Sequence, residues 1–129
     1  MKLFSLFRPL KKIPPFLYLQ QYSARDFYFR RIAVWDIATD NEVVVIDPKQ
    51  PRLLTLDPWP EMIFLSADGQ KTVAEYIHYA AEKYEGTVPD LLDKTIINEI
   101  ESLLHYGILE LTPIRSRPDI ANDKPGGAI

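Results

Sequence analysis

The sequence predicts an α+β domain in which a three-stranded antiparallel β-meander precedes three α-helices, the plan of a winged helix. Three observations carry that expectation. Residues 27–56 hold β-rich runs separated by turn residues. Residues 57–107 hold three stretches that open on capping residues and end near glycines. A short apolar strand at 108–111 closes the pattern.

The strands come first. FYFRRIAVW (27–35) and VVVID (43–47) are dense in β-branched and aromatic residues, with Ala38-Thr39-Asp40-Asn41 as a turn between them. Asp47-Pro48-Lys49-Gln50-Pro51 has the proline and polar content of a tight connection, and Arg52–Leu56 follows as a third strand.

Capping chemistry marks the helices. Asp57 precedes Pro58, the favoured first helical residue, and Pro60 still lies in the first turn, where a missing N–H breaks no helical bond. This helix is expected to end near Ser66, before Asp68-Gly69. Thr72-Val73-Ala74-Glu75 is a capping box opening the second helix, expected to stop at Gly86. The third runs from Thr87–Asp90 to Gly107. At about 100° per residue, its Leu92, Ile96, Ile97, Ile100, Leu103 and Leu104 cover roughly 140° of arc, wider than a one-sided helix needs. Its charges are Asp90, Asp93, Glu99 and Glu101 against Lys94 alone. The expectation is an acidic helix with apolar surface to spare.

Six of the eleven prolines lie at the two ends of the chain, which makes those ends poor helices and poor central strands. The organisation expected is an N-terminal arm (1–25), a folded domain (26–112) and a flexible tail (113–129). The arm keeps Phe4, Phe7, Leu10, Phe16, Leu17 and Tyr18, too apolar for a plain linker. It should pack on its own domain, on a second copy or on a partner.

A chain of 129 residues with 47% apolar and 26% charged residues fits one globular domain with a modest core. No cysteine is present, so neither disulfides nor thiolate chemistry arise, as suits a reducing cytoplasm. The N-terminal apolar run is broken by Arg8-Pro9 and Lys11-Lys12 and lacks a small-residue cleavage site. No run of about 18 apolar residues occurs, so no membrane span is expected and the reading is of a soluble cytoplasmic protein.

The net charge of −3 is uneven. Residues 1–56 carry nine bases and five acids, +4, whereas residues 57–107 carry three bases and ten acids, −7. A winged helix that reads DNA lays its last helix in the major groove and draws most of its affinity from phosphate. This acidic half has the wrong sign for that, and a DNA-binding regulator is the poorer reading.

Nothing in the sequence argues for catalysis or a resident cofactor. His78 and His105 alone do not complete a zinc site without cysteine. Glu99 and Glu101 lie on a helix face that would be solvated, and general acid–base work needs a desolvated cleft. No serine sits in a nucleophile elbow, and no glycine-rich loop would cradle phosphate. Trp35 and Trp59 are expected in the core between sheet and helices.

What remains is the sheet edge. If Arg52–Leu56 is an edge strand, its main-chain groups can pair with an extended peptide, while apolar hollows beside it choose the guest's side chains. The same edge could equally be covered by the arm or by a second copy in an assembly homodimer, and the residues alone do not separate these.

The succession VVVIDPKQPRLLTLDPWPEMIFLSADGQKTVAEYI, with its Asp68-Gly69, Lys71-Thr72-Val73 and Glu75, and the closing HYGILEL resemble the pyrroloquinoline-quinone synthesis protein D (PqqD) family over about residues 27–111. The departures are Leu56-Asp57 where that family has Leu-Asn, Pro-Trp-Pro at the helix start, and the added arm and tail. The resemblance implies a non-catalytic peptide-recognition protein. It would bind the leader of a ribosomally made, post-translationally modified peptide and present it to a modifying enzyme. It also implies the site: strand addition along Arg52, Leu53, Leu54, Thr55 and Leu56, faced by Leu92, Ile96, Glu99 and Leu103. The modifying enzyme implied is often a radical S-adenosylmethionine enzyme. Its iron–sulfur cluster would belong to that partner, because this chain has no cysteine to hold one.

Overall fold

The computed structural model describes residues 12–126; residues 1–11 of the expected arm and 127–129 of the expected tail lie outside them. The chain is a mixed α+β protein with two antiparallel three-stranded sheets and five helices among the described residues. In order these are α1 (Leu17–Gln21), β1 (Tyr28–Arg31), β2 (Trp35–Ile37), β3 (Val43–Ile46), β4 (Leu53–Thr55), α2 (Pro58–Ser66), β5 (Asp68–Thr72), α3 (Val73–Glu82), α4 (Leu92–His105), β6 (Leu109–Thr112) and α5 (Ile120–Asp123). Element order therefore departs from a meander followed by three helices.

The expected first strand, 27–35, is two strands in different sheets. Its first part, β1, lies between β5 and β6, with Phe29 opposite Leu111 and Tyr28 opposite Thr72. Its last residue begins β2, which pairs with β3 from Trp35↔Val45 to Ile37↔Val43. Arg31 is the last residue of β1 before the break. Its side chain is 4% exposed and donates to the carbonyls of Phe64 and Leu65 at the end of α2 (3.0 and 2.9 Å) and of Asn122 and Asp123 (3.0 and 2.9 Å). Helix C-termini leave carbonyls without partners, and one guanidinium answers several of them. Burial lowers its pKa, opposed by the Asp123 carboxylate 3.6 Å away.

The strand β5 occupies a stretch read as a turn and a cap. Gly69 makes it possible: its φ is +75°, and a Cβ there would sit 1.7 Å from the Ser116 carbonyl oxygen. The capping box forms as expected. Thr72 Oγ1 accepts from Glu75 N–H at 3.1 Å, and Glu75 Oε1 accepts from Thr72 N–H at 2.8 Å.

The core lies where α4 meets the other elements. Phe64 is edge-on to Trp35 at 5.8 Å and Phe29 to Tyr76 at 5.4 Å, while Ile63, Ile77 and Ile100 are fully enclosed. At about 2 kcal/mol per enclosed aliphatic or aromatic side chain, this burial is the main force holding the layers together. Trp35 is thus a core residue, and its Nε1 donates to the Asn122 carbonyl at 2.9 Å. Trp59 is half-buried at the core margin.

Both chain ends are tied down where described. The Leu19 N–H donates to Asp93 Oδ2 at 2.9 Å, and the Tyr22 hydroxyl donates to Glu101. Ile97 lies one helical turn from each of those acids, so α1 covers that flank of α4. Residues 113–126 run back along β1 and β2, held by Arg30, Arg31 and Trp35, and Gly126 N–H donates to the Trp35 carbonyl at 2.8 Å.

Candidate functional site

The sheet β2-β3-β4 has two outer edges, and they differ. On β2, the C-terminal segment takes up the Trp35 carbonyl. On β4, no such cover exists among the described residues.

The phase of β4 follows from its turn. Asp47 N–H donates to the Arg52 carbonyl at 3.0 Å, which makes 47/52 a hydrogen-bonded pair. Such pairs alternate along an antiparallel ladder. With Ile46↔Leu53, Val45↔Leu54 and Val44↔Thr55 in register, Leu54 bonds back to β3. Leu53 and Thr55 therefore turn their N–H and C=O groups away from the sheet. These are the free pairing groups.

Side chains alternate the other way. Val45 is fully buried, and Leu54 opposite it points to the same inner face, half-buried against the core. Leu53 stands on the outer face, 61% exposed.

A groove of about 230 Å³ runs along the inner side of this edge. Its strand wall is Leu54, Thr55 and Leu56; its end is Asp57 and Pro60; its helix wall is Glu99, Ser102 and Leu103 of α4 with Tyr106 at that helix's C-cap. The family resemblance implies Leu92, Ile96, Glu99 and Leu103 opposite the strand. Glu99 and Leu103 are there, with Leu103 a nearly closed floor at 2% exposure. Leu92 and Ile96 are not: at 2% and 0% exposure they lie in the core.

The spare apolar margin expected on α4 is also absent. The centre of its stripe packs inward and α1 covers the Ile97 flank, so the groove meets the helix on its other, more polar shoulder. Glu99, Ser102 and Tyr106 are spaced i, i+3 and i+7, one ridge of a helix. That spacing was the available signal for Ser102 and Tyr106, whereas apolar periodicity led to the core.

Arg52 lies just before β4 and does not face the groove. Its Nε donates to Asp47 Oδ2 at 2.8 Å. Asp47 also accepts from the Lys49 N–H at 2.8 Å. Arg52 first, then the Lys49 N–H, hold the Asp47 carboxyl below the usual carboxylate range. The connection is therefore a braced turn that presents β4 at a fixed angle.

A larger hollow of about 550 Å³ lies between α2 and α3, lined by Trp59, Met62, Tyr76, Tyr79 and Lys83 among others. Both its walls are helices, whose mid-span N–H and C=O groups are already paired, so it offers no main-chain recognition. The smaller groove has that capacity. Among the described residues, no three His, Asp or Glu side chains come together in a metal-holding group, and no helix is long and apolar enough to cross a membrane.

No protein-family model, curated protein or solved structure matches the chain.

Proposed function

We propose that this protein is a non-catalytic peptide-recognition protein that takes an extended segment as an added strand on β4. The observation that carries this is the uncovered edge at Leu53 and Thr55 with a groove along it. Main-chain pairing supplies affinity in such complexes, and side hollows supply selection. Leu54, Leu56 and Leu103 offer an apolar floor for one guest side chain, with Tyr106 and Ser102 at the rim.

The residues shared with the PqqD pattern extend the reading. On it, the guest is the leader of a ribosomally made peptide, and the protein presents that leader to a modifying enzyme, a radical S-adenosylmethionine enzyme being the candidate class. α2, α3 and α4 then take the part of the three helices of a winged-helix plan.

The test is a titration of the isotope-labelled full chain with the leader of a short precursor peptide encoded beside its gene. Amide signals of Leu53–Leu56 and of Glu99–Tyr106 are expected to move together. Movement confined to residues 12–25 would overturn the proposal.

A second reading has its own observation. Leu53, on the outer face of this sheet beside Ile46 and Val44, is 61% exposed. A homodimer pairing through β4 would bury that surface. Light scattering decides between the two: a monomer at working concentration removes the dimer.

A further inference from the structure

The groove beside β4 carries two carboxylates that nothing in the described chain answers. Asp57 enters from the strand–helix junction and Glu99 from α4.

The freedom of Asp57 is built into its sequence context. A helix N-cap side chain normally accepts from the N–H two or three residues on. Here the third residue is Pro60, which has no N–H, and the Asp57 side chain makes no capping bond. Pro60 removes one of the two usual capping donors, and the Trp59 N–H, the other, is not taken up by the carboxylate.

Glu99 is free for a different reason. The other α4 acids flanking Ile97 are engaged, Asp93 by Leu19 and Glu101 by Tyr22. Residues three and four positions from Glu99 are Thr95, Ile96, Ser102 and Leu103, none of them basic. Lys94, five positions earlier, lies about 140° round the helix from Glu99, and the bases before β4 are committed elsewhere: Arg52 to Asp47, and Lys49 Nζ to the His105 carbonyl at 3.0 Å.

Two unpaired carboxylates, one at the end of the groove and one on its helix wall, with no base in the lining, make the groove a negative slot beside a main-chain pairing edge. We infer that the guest strand carries a lysine or arginine whose side chain enters between Asp57 and Glu99. This rests on the reading of β4 as a strand-addition edge and adds to it the guest's charge. Backbone pairing alone is indifferent to sequence; the carboxylate pair sets register, because only one position of an added strand would bring its cation into the slot. Neutral or acidic extended segments would pair in no preferred register and pay the repulsion of two like charges when acidic.

The experiment pans a phage-displayed library of random peptides on the full chain and on the Asp57→Asn/Glu99→Gln double variant. Neither carboxylate makes a hydrogen bond or ion pair among the described residues, so the variant is expected to keep its fold, which a melting curve checks. Peptides recovered on the native chain are expected to share Lys or Arg at one position and to shift the Leu53 and Thr55 amides. Changing that residue to Gln should weaken binding ~2- to 5-fold for each exposed carboxylate it loses, and should do nothing on the double variant. Two outcomes overturn the inference and leave the edge reading standing: recovered peptides that shift those amides yet share no base, or an equal loss on both proteins. If no recovered peptide shifts the Leu53 and Thr55 amides, the edge reading falls and this inference with it.

Discussion

Asp47 and Arg52 meet twice, once through the main chain (N–H to carbonyl, 3.0 Å) and once through side chains (carboxylate to Nε, 2.8 Å). The double contact closes the β3–β4 turn and fixes which residues of β4 look outward. A shift of one residue would turn Leu53 and the polar Thr55 to the inner face in place of Leu54. The turn therefore decides both the packing of β4 and the identity of its free pairing groups.

Proline substitutions read that phase directly. Thr55→Pro removes an outward N–H and no ladder bond, so stability should change by about 1 kcal/mol or less while guest binding is lost. Leu54→Pro removes a bond to β3 and a core contact, and should cost about 3 kcal/mol. Urea denaturation of both variants, set against peptide binding, checks the pair. Equal destabilisation would mean the phase is misassigned.

The brace is also pH-sensitive. Because the folded Asp47 carboxyl sits below its ordinary value, its stabilising contribution is complete above the unfolded pKa of about 4 and fades as pH falls through the lower folded value. Asp47→Asn should lower stability at neutral pH and flatten the acid limb in that window, leaving the slope near neutrality unchanged. An unchanged acid limb would show that the carboxylate is not held as described.

Arg31 should be the most costly polar side chain to remove. Arg31→Met strips donors from carbonyls of α2 and of the C-terminal segment in a buried place. A loss of about 3–5 kcal/mol is expected from breaking such a site, together with faster proteolysis after residue 113. A loss below about 1 kcal/mol would show that the guanidinium is dispensable.

Much of this was readable in advance, and the misses have physical causes. Helices α2, α3 and α4 and the strand β6 were visible because caps and apolar spacing are local signals. The split of 27–35 was not, since β-propensity says nothing about which sheet a strand joins; a buried arginine bonded to helix-end carbonyls sits at the split. For the same reason β5 was hidden, because its Gly69 is demanded by the approach of Ser116, far along the chain. At the candidate site, the strand Leu53–Thr55 was legible and Glu99 came only with the family resemblance, while Leu92 and Ile96 were not separable from groove residues by periodicity. An apolar stripe shows which side of a helix is buried; it does not show which shoulder is left for a ligand.

Gly69→Ala follows from the same contact. The added methyl would meet the Ser116 carbonyl and occupy a left-handed backbone conformation, so a loss of about 2 kcal/mol or more is expected. Thermal denaturation measures it, and a neutral effect would mean that the 113–126 segment gives way without cost.

The account turns on Leu53 and Thr55, and amide hydrogen exchange reports on each separately. In the free chain, Leu54 should exchange slowly while Leu53 and Thr55 exchange like open strand residues; with a peptide bound, both should become protected. If Leu53 and Thr55 are already protected in the free monomer, or stay open when a peptide is bound, β4 is not the edge that receives the guest.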